Sequence, residues 1–85
     1  MAKSSLSEQV VLTSLGAIGV GEHARIAEIR GGRQLTRRLI SLGLRVGSEV
    51  DILHRRGRGV VVVSDGNRVA LGGTIADKLM VESIN

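Results

Sequence analysis

His23 and His54 are the only imidazoles in this sequence, and so the only side chains whose ordinary pKa suits proton transfer near neutral pH. A serine-histidine-acid triad would need a nucleophile and an orienting carboxylate beside one of them, and no local motif supplies that arrangement. Glu22-His23, and Asp51 with His54, offer nitrogen and oxygen donors, but two histidines without a third strong ligand make a weak transition-metal site. Asp51 and His54 are three residues apart, which on a strand sends them to opposite faces. Cysteine is absent, so thiol nucleophiles, thiolate metal sites, disulfides and redox roles are excluded, in keeping with a reducing compartment. The glycines spell no nucleotide fingerprint. Gly57-Arg58-Gly59 lacks the third glycine and the helix that should follow, and Gly16, Gly19 and Gly21 have the reversed spacing G-x-x-G-x-G. The expectation is a protein that is not an enzyme, has no metal site or cofactor site legible in these residues, and carries both histidines on its surface; whether iron itself touches the protein is left open.

The remaining chemistry is charge. Ten arginines and two lysines oppose eight acids, for a net +4, and the arginines are unevenly placed. From Arg30 to Arg58 eight arginines meet only Glu49 and Asp51, a local charge of about +6. Such a face suits nucleic acid, an anionic leaflet or an acidic protein. The lack of Phe, Trp and Tyr removes the rings on which unpaired bases stack, so nucleic acid is the less favoured partner. The longest apolar runs, Val60 to Val63 and Val10 to Leu12, fall far short of the ~20 residues a membrane span needs. Residues 1–9 read as a polar tail, not a signal peptide, because no apolar stretch follows Lys3. A cytoplasmic protein without direct membrane insertion is therefore expected.

The elements that must position these side chains fit one small domain over residues 10–85. Arg33 to Leu42 is predicted to be the single convincing helix. Leu35, Leu39 and Leu42 recur at i, i+4 and i+7, and Gly43 stands where a left-handed C-cap is wanted. At roughly 100° per residue, Ile40, Arg33 and Arg37 fall on the opposite side, an apolar anchor inside a basic rim. Val10 to Leu15 suits a short strand or a helical turn, and Ala24 to Arg30 a strand. Ile26 and Ile29 are three apart, so that strand needs a bulge if both are to face inward. Leu44 to Gly47 reads as a turn and Glu49 to His54 as a half-buried strand. Val60 to Ser64 and Arg68 to Leu71 form a hairpin across Asp65-Gly66, a type I′ pair. Thr74 with Asp77 resembles a capping box opening one helical turn, and Leu79 with Val81 a closing strand. The fold expected is mainly β: a small antiparallel barrel of about five strands with one short helix.

The run Arg37-Arg38-Leu39-Ile40-Ser41-Leu42-Gly43-Leu44-Arg45-Val46-Gly47-Ser48-Glu49-Val50 resembles the signature of the FeoA family, a basic helix ending R-R/K-L-x-x-L/M-G-L/M followed by x-x-G-x-x-V/I. Leu12-Thr13-Ser14-Leu15 with Gly21, Ile26 to Gly32, Val69 to Gly72, Ala76 and Leu79-Met80-Val81 extend the likeness over roughly Leu12 to Ile84. The resemblance implies an SH3-like β-barrel. It also implies a cytoplasmic accessory protein that acts by contact with the ferrous iron transporter FeoB on its cytosolic side. The same barrel occurs in DtxR-type metal-dependent repressors, but no helix-turn-helix is read here. Together with the helical angles, the motif marks Arg33, Arg37, Arg38, Leu39, Ile40, Gly43, Leu44 and Gly47 as candidate partner-binding residues. The shorter, proline-free turn Gly57-Arg58-Gly59 and the polar extension before the barrel depart from the family pattern. The alternatives are a basic barrel binding nucleic acid and a stand-alone domain related to the repressors.

Overall fold

Alternating burial and glycine-bearing turns divide the chain into six strands and two helices in a computed structural model that describes residues 11–84. The tail expected over residues 1–9 lies outside them. The strands are β1 (Thr13–Ser14), β2 (His23–Ile29), β3 (Glu49–Arg56), β4 (Gly59–Ser64), β5 (Asn67–Leu71) and β6 (Leu79–Ser83), and the helices are α1 (Gly32–Ser41) and α2 (Gly73–Ala76). All strands pair antiparallel in one sheet of order β1-β6-β2-β3-β4-β5. Two register shifts bend it, one in β2 between Ile26 and Glu28 and one in β3 between Ile52 and His54. A bulge adds a residue on one side of a pair and increases local twist, so the sheet curls around its apolar face. The first shift falls where the spacing of Ile26 and Ile29 demands it. The second carries no such mark in the sequence.

The enclosed core is aliphatic throughout: Leu15, Ile26, Leu39, Leu44, Val50, Ile52, Val62, Leu79 and Val81 are its largest fully buried side chains. In β4 the alternation is strict, with Val60, Val62 and Ser64 inward and Val61 and Val63 half-buried. The β4–β5 hairpin turns through Asp65 at φ 51° and Gly66 at φ 80°, the left-handed pair that a type I′ loop requires.

Three details differ from the sequence reading. The strand count is six, because both options for the entry segment are realised in succession: β1 pairs Thr13 with Val81 and Ser14 with Met80, and a 3-10 turn follows over Leu15–Ala17. Thr74 does not cap α2. The helical turn starts at Gly73 with Gly72 as N-cap, and no side chain caps it. Gly73 lies so close to Arg58 that an added Cβ would stand 2.6 Å from the arginine Cβ, so a side chain at this position would have to displace its neighbour. Finally, Leu42 is 43% exposed and does not complete the core stripe of α1.

The end of α1 explains that last difference. Gly43, at φ 88°, donates its N–H to Ile40 O at 2.9 Å, and Leu44 donates to Leu39 O at 2.8 Å. These two bonds define a Schellman motif with Leu42 as C-cap, and its usual apolar contact joins the residues that are here Leu39 and Leu44. Both are fully buried. The chain therefore leaves the helix before Leu42 can turn inward, and Leu44 takes the place in the core that helical periodicity assigns to Leu42.

Candidate docking groove

The Schellman turn also shapes the surface. Beyond it the segment Gly43 to Ser48 is stitched to β2 at the bulge, with Gly47 N–H donating to Ile26 O at 2.7 Å and Ile26 N–H donating to Ser48 O at 2.9 Å. Ser48 closes the loop on itself: its N–H donates to Arg45 O at 2.9 Å and its Oγ accepts from Arg45 N–H at 3.0 Å. Between this loop, the last turn of α1 and the tip of the β4–β5 hairpin lies a groove of about 760 Å³. Ile40 and Val46 are its exposed apolar side chains, Gly43 and Gly47 bring backbone to its surface, and Glu49 and Asp65 stand on the sheet side. Ile40 is 54% and Val46 57% exposed, so two aliphatic residues, one from the last turn of α1 and one from the hydrogen-bonded loop, face solvent along the same groove.

Four of the residues expected to meet a partner, Ile40, Gly43, Leu44 and Gly47, line this groove. Arg33 and Arg37 are exposed on the helix face that leads into it, since steps of four and three residues keep them within about 60° of Ile40. Arg38 projects elsewhere and borders a smaller hollow with Leu35 and Ile75. Leu39 and Leu44 have no exposed surface, so they act on the groove by holding its shape. Sequence reasoning missed Arg45, Val46, Glu49 and Asp65. An apolar Val46 inside a glycine-bounded turn was a usable signal; the position of Asp65 depends on sheet register and had none.

A second polar cluster lies on the outer face of β2, β3 and β6. His23 and Asp51 are register partners, and the His23 ring sits between two carboxylates: Nδ1 meets Asp51, and Nε2 lies 3.0 Å from Glu49 Oε1. Arg25 donates to Glu49 Oε2 at 3.4 Å and to Glu82 Oε1 at 3.0 Å. Asp51 thus pairs across strands with His23, not along its own strand with His54. Both ring nitrogens are engaged by carboxylates, and among the described residues no group of three His, Asp or Glu side chains is arranged to hold a metal ion. The hydrogen bonds to Asp51 and then Glu49 hold the imidazolium form of His23 above its ordinary pKa, and the His23 and Arg25 hydrogen bonds hold Glu49 below the usual carboxylate value.

The signs fix a pH window. A raised histidine contributes stability that is complete below its unfolded pKa and lost as pH rises through the folded one; a depressed glutamate contributes above its unfolded pKa and loses that contribution as pH falls through the folded one. The ladder is therefore strongest between the carboxylate and imidazole ranges. Titration of the His23 ring by NMR is expected to give a midpoint above 6.5, moving down in Asp51→Asn. A wild-type midpoint at or below that value would show that the ring is not held between the two carboxylates in solution.

A family model for the FeoA domain matches residues 13–83. The chain belongs to the FeoA family. A Methanocaldococcus jannaschii protein named for Fe(2+) transport is 31% identical over 62 residues, which span 73% of this chain and 76% of that protein. The crystal structure of an iron uptake regulatory protein, FeoA, superposes with a TM-score of 0.80 at 27% identity, covering 88% of this chain and all of the other. A manganese-dependent transcriptional repressor, solved with manganese, gives a TM-score of 0.82 at 27% identity over 91% of this chain but only 39% of the repressor. The architecture is thus the SH3-like barrel that FeoA proteins share with the C-terminal domains of metal-dependent repressors. FeoA proteins are accessory proteins of ferrous iron transport and are not known as enzymes. No described helix is long and apolar enough to cross a membrane.

Proposed function

We propose that this FeoA-family protein works in the cytoplasm as an accessory and regulatory protein of ferrous iron uptake, docking on the cytosolic side of a FeoB-type transporter through the groove at the end of α1. The observation that carries this reading is that Ile40, in the last turn of α1, and Val46, in the loop that follows it, are both exposed on one groove built by the family motif itself. The motif leucines Leu39 and Leu44 are spent on the core, and the motif glycines Gly43 and Gly47 hold the loop in which Val46 points outward. Exposed aliphatic residues ringed by arginine are the usual composition of a protein-docking patch. Among the described residues the two helices are separated by three strands and form no helix-turn-helix.

The experiment is co-purification of the full-length protein with the transporter in detergent, repeated with the transporter's soluble GTPase domain in both nucleotide states. Association with the full-length transporter is expected. Its absence there would overturn the proposal, whereas binding to the membrane-embedded form alone would place the contact outside the GTPase domain.

A further inference from the structure

The charges around the groove are divided between its two sides. On the helix side, Arg33, Arg37 and Arg45 are exposed, and the ion pairs among the described residues use other cations: His23, Arg25, Arg30 and Arg58. On the sheet side, the register that pairs Asp51 with Val63 brings Glu49 level with Asp65. Both Glu49 oxygens are already engaged, by His23 and by Arg25, while Asp65 takes part in none of those ion pairs. Ile40 and Val46 line the same groove as Arg45, Glu49 and Asp65.

We propose that the groove takes a peptide segment of matching polarity, with acidic residues on the α1 side, one aliphatic side chain between Ile40 and Val46, and no carboxylate facing Asp65. This rests on the docking reading above and names the chemistry of the segment that docks. Arginines without a carboxylate partner gain most from a ligand that supplies one, because charge-assisted and bidentate pairs are the stronger hydrogen bonds. Arg33 and Arg37 are four residues apart and Ile40 three further on, so the basic ridge runs about 10 Å along the helix into the apolar part of the groove. A nucleic acid fits less well. It would set phosphates against Asp65 as well as against the arginines, it offers Ile40 and Val46 nothing larger than a thymine methyl, and the protein has no aromatic ring to stack on a base. A peptide can confine its acids to one side.

The test is selection of short random peptides displayed on phage against the full-length protein, followed by fluorescence anisotropy on the synthetic consensus. The expected consensus has clustered Asp or Glu next to a Leu, Ile, Val or Met. Its affinity should fall by about tenfold or more in Ile40→Asp and in the double variant Arg37→Glu/Arg45→Glu. A counterpart with lysine in place of its acids should bind that double variant about tenfold better than it binds the wild type. Asp65→Asn keeps a residue at home in a type I′ turn, and should tighten a peptide with acids at both ends several-fold. A neutral or basic consensus, equal binding to Ile40→Asp, or no rescue by the lysine peptide would overturn the proposal. So would tighter, steeply salt-dependent binding of duplex DNA. The two readings fail separately. If the transporter associates but no acidic peptide is selected, the docking proposal stands and this one falls; if acidic peptides bind the groove without displacing the transporter, the reverse holds.

Discussion

Replacing Leu39 by Ala is expected to cost about 2 to 5 kcal/mol, the range for truncating a buried leucine. Leu39 is fully buried, is the one buried residue of α1, and meets Leu44 through the Schellman turn. Truncating it leaves a cavity under the longer of the two described helices and loosens the contact that ends it. A domain of this size has only a few kcal/mol to lose, and each kcal/mol is about 4 to 8 °C, so the melting temperature should drop by about 10 °C or more. Leu42→Ala is the control. At 43% exposure Leu42 has far less surface to lose, and its truncation should cost less than about 1 kcal/mol. Helical periodicity alone puts both leucines on one core stripe and predicts equal damage. Equal melting temperatures for the two variants would mean that the helix ends differently from the geometry described here.

That pair of leucines also shows how far the sequence can be read. The i, i+4, i+7 pattern locates α1 to within a residue at each end, and Gly43 marks its stop, because both are local properties of a few neighbouring residues. Asp65-Gly66 is legible for the same reason: two positive φ angles are required, and the residues that tolerate them are few. Periodicity cannot report the point at which the chain departs from the helical path. Leu42 and Leu44 exchange the roles expected of them because the Schellman turn rotates the backbone between them. Thr74 misleads in a similar way, since α2 starts one residue earlier, at Gly73, where the chain lies close against Arg58, a neighbour brought there only by the fold. β1 has two residues, too few for any pattern to register.

The groove divides along the same line. Ile40 and the arginines of α1 follow from helical angles, and the glycines from the family motif. Arg45 and Val46 belong to a loop whose direction depends on hydrogen bonds to β2, and Glu49 and Asp65 meet only through the register of β3 on β4. The His23 ladder is likewise a cross-strand product. The three-residue spacing on a strand already argues against pairing Asp51 with His54, but only the β2–β3 register shows that its partner is His23.

The largest effect on function is expected from Arg33→Glu/Arg37→Glu/Ile40→Asp, which should leave the barrel folded and remove association with the transporter. The three side chains are exposed, and neither arginine belongs to an ion pair among the described residues, so no ion pair is lost. Exposed substitutions of this kind usually stay within about 0.5 kcal/mol each. Helix electrostatics push in opposite directions. Glutamate at position 33 is favourable near an N-terminus that has no acidic residue in its first turn, and aspartate at position 40 is unfavourable near the C-terminus, each by about 0.3 to 1 kcal/mol. These contributions largely cancel. Nothing offsets the loss in binding: an interface anchor costs about 2 kcal/mol or more when removed, roughly 30-fold in affinity, and two reversed charges add repulsion against an acidic segment. Circular dichroism and thermal melting check the fold, and transporter co-purification with ferrous iron uptake checks the function. A folded triple variant that associates and supports uptake at the wild-type level would remove this face from consideration. The contact would then have to be sought at the hollow between Leu35, Arg38 and Ile75, where the remaining arginine of α1 meets a partly buried apolar pair.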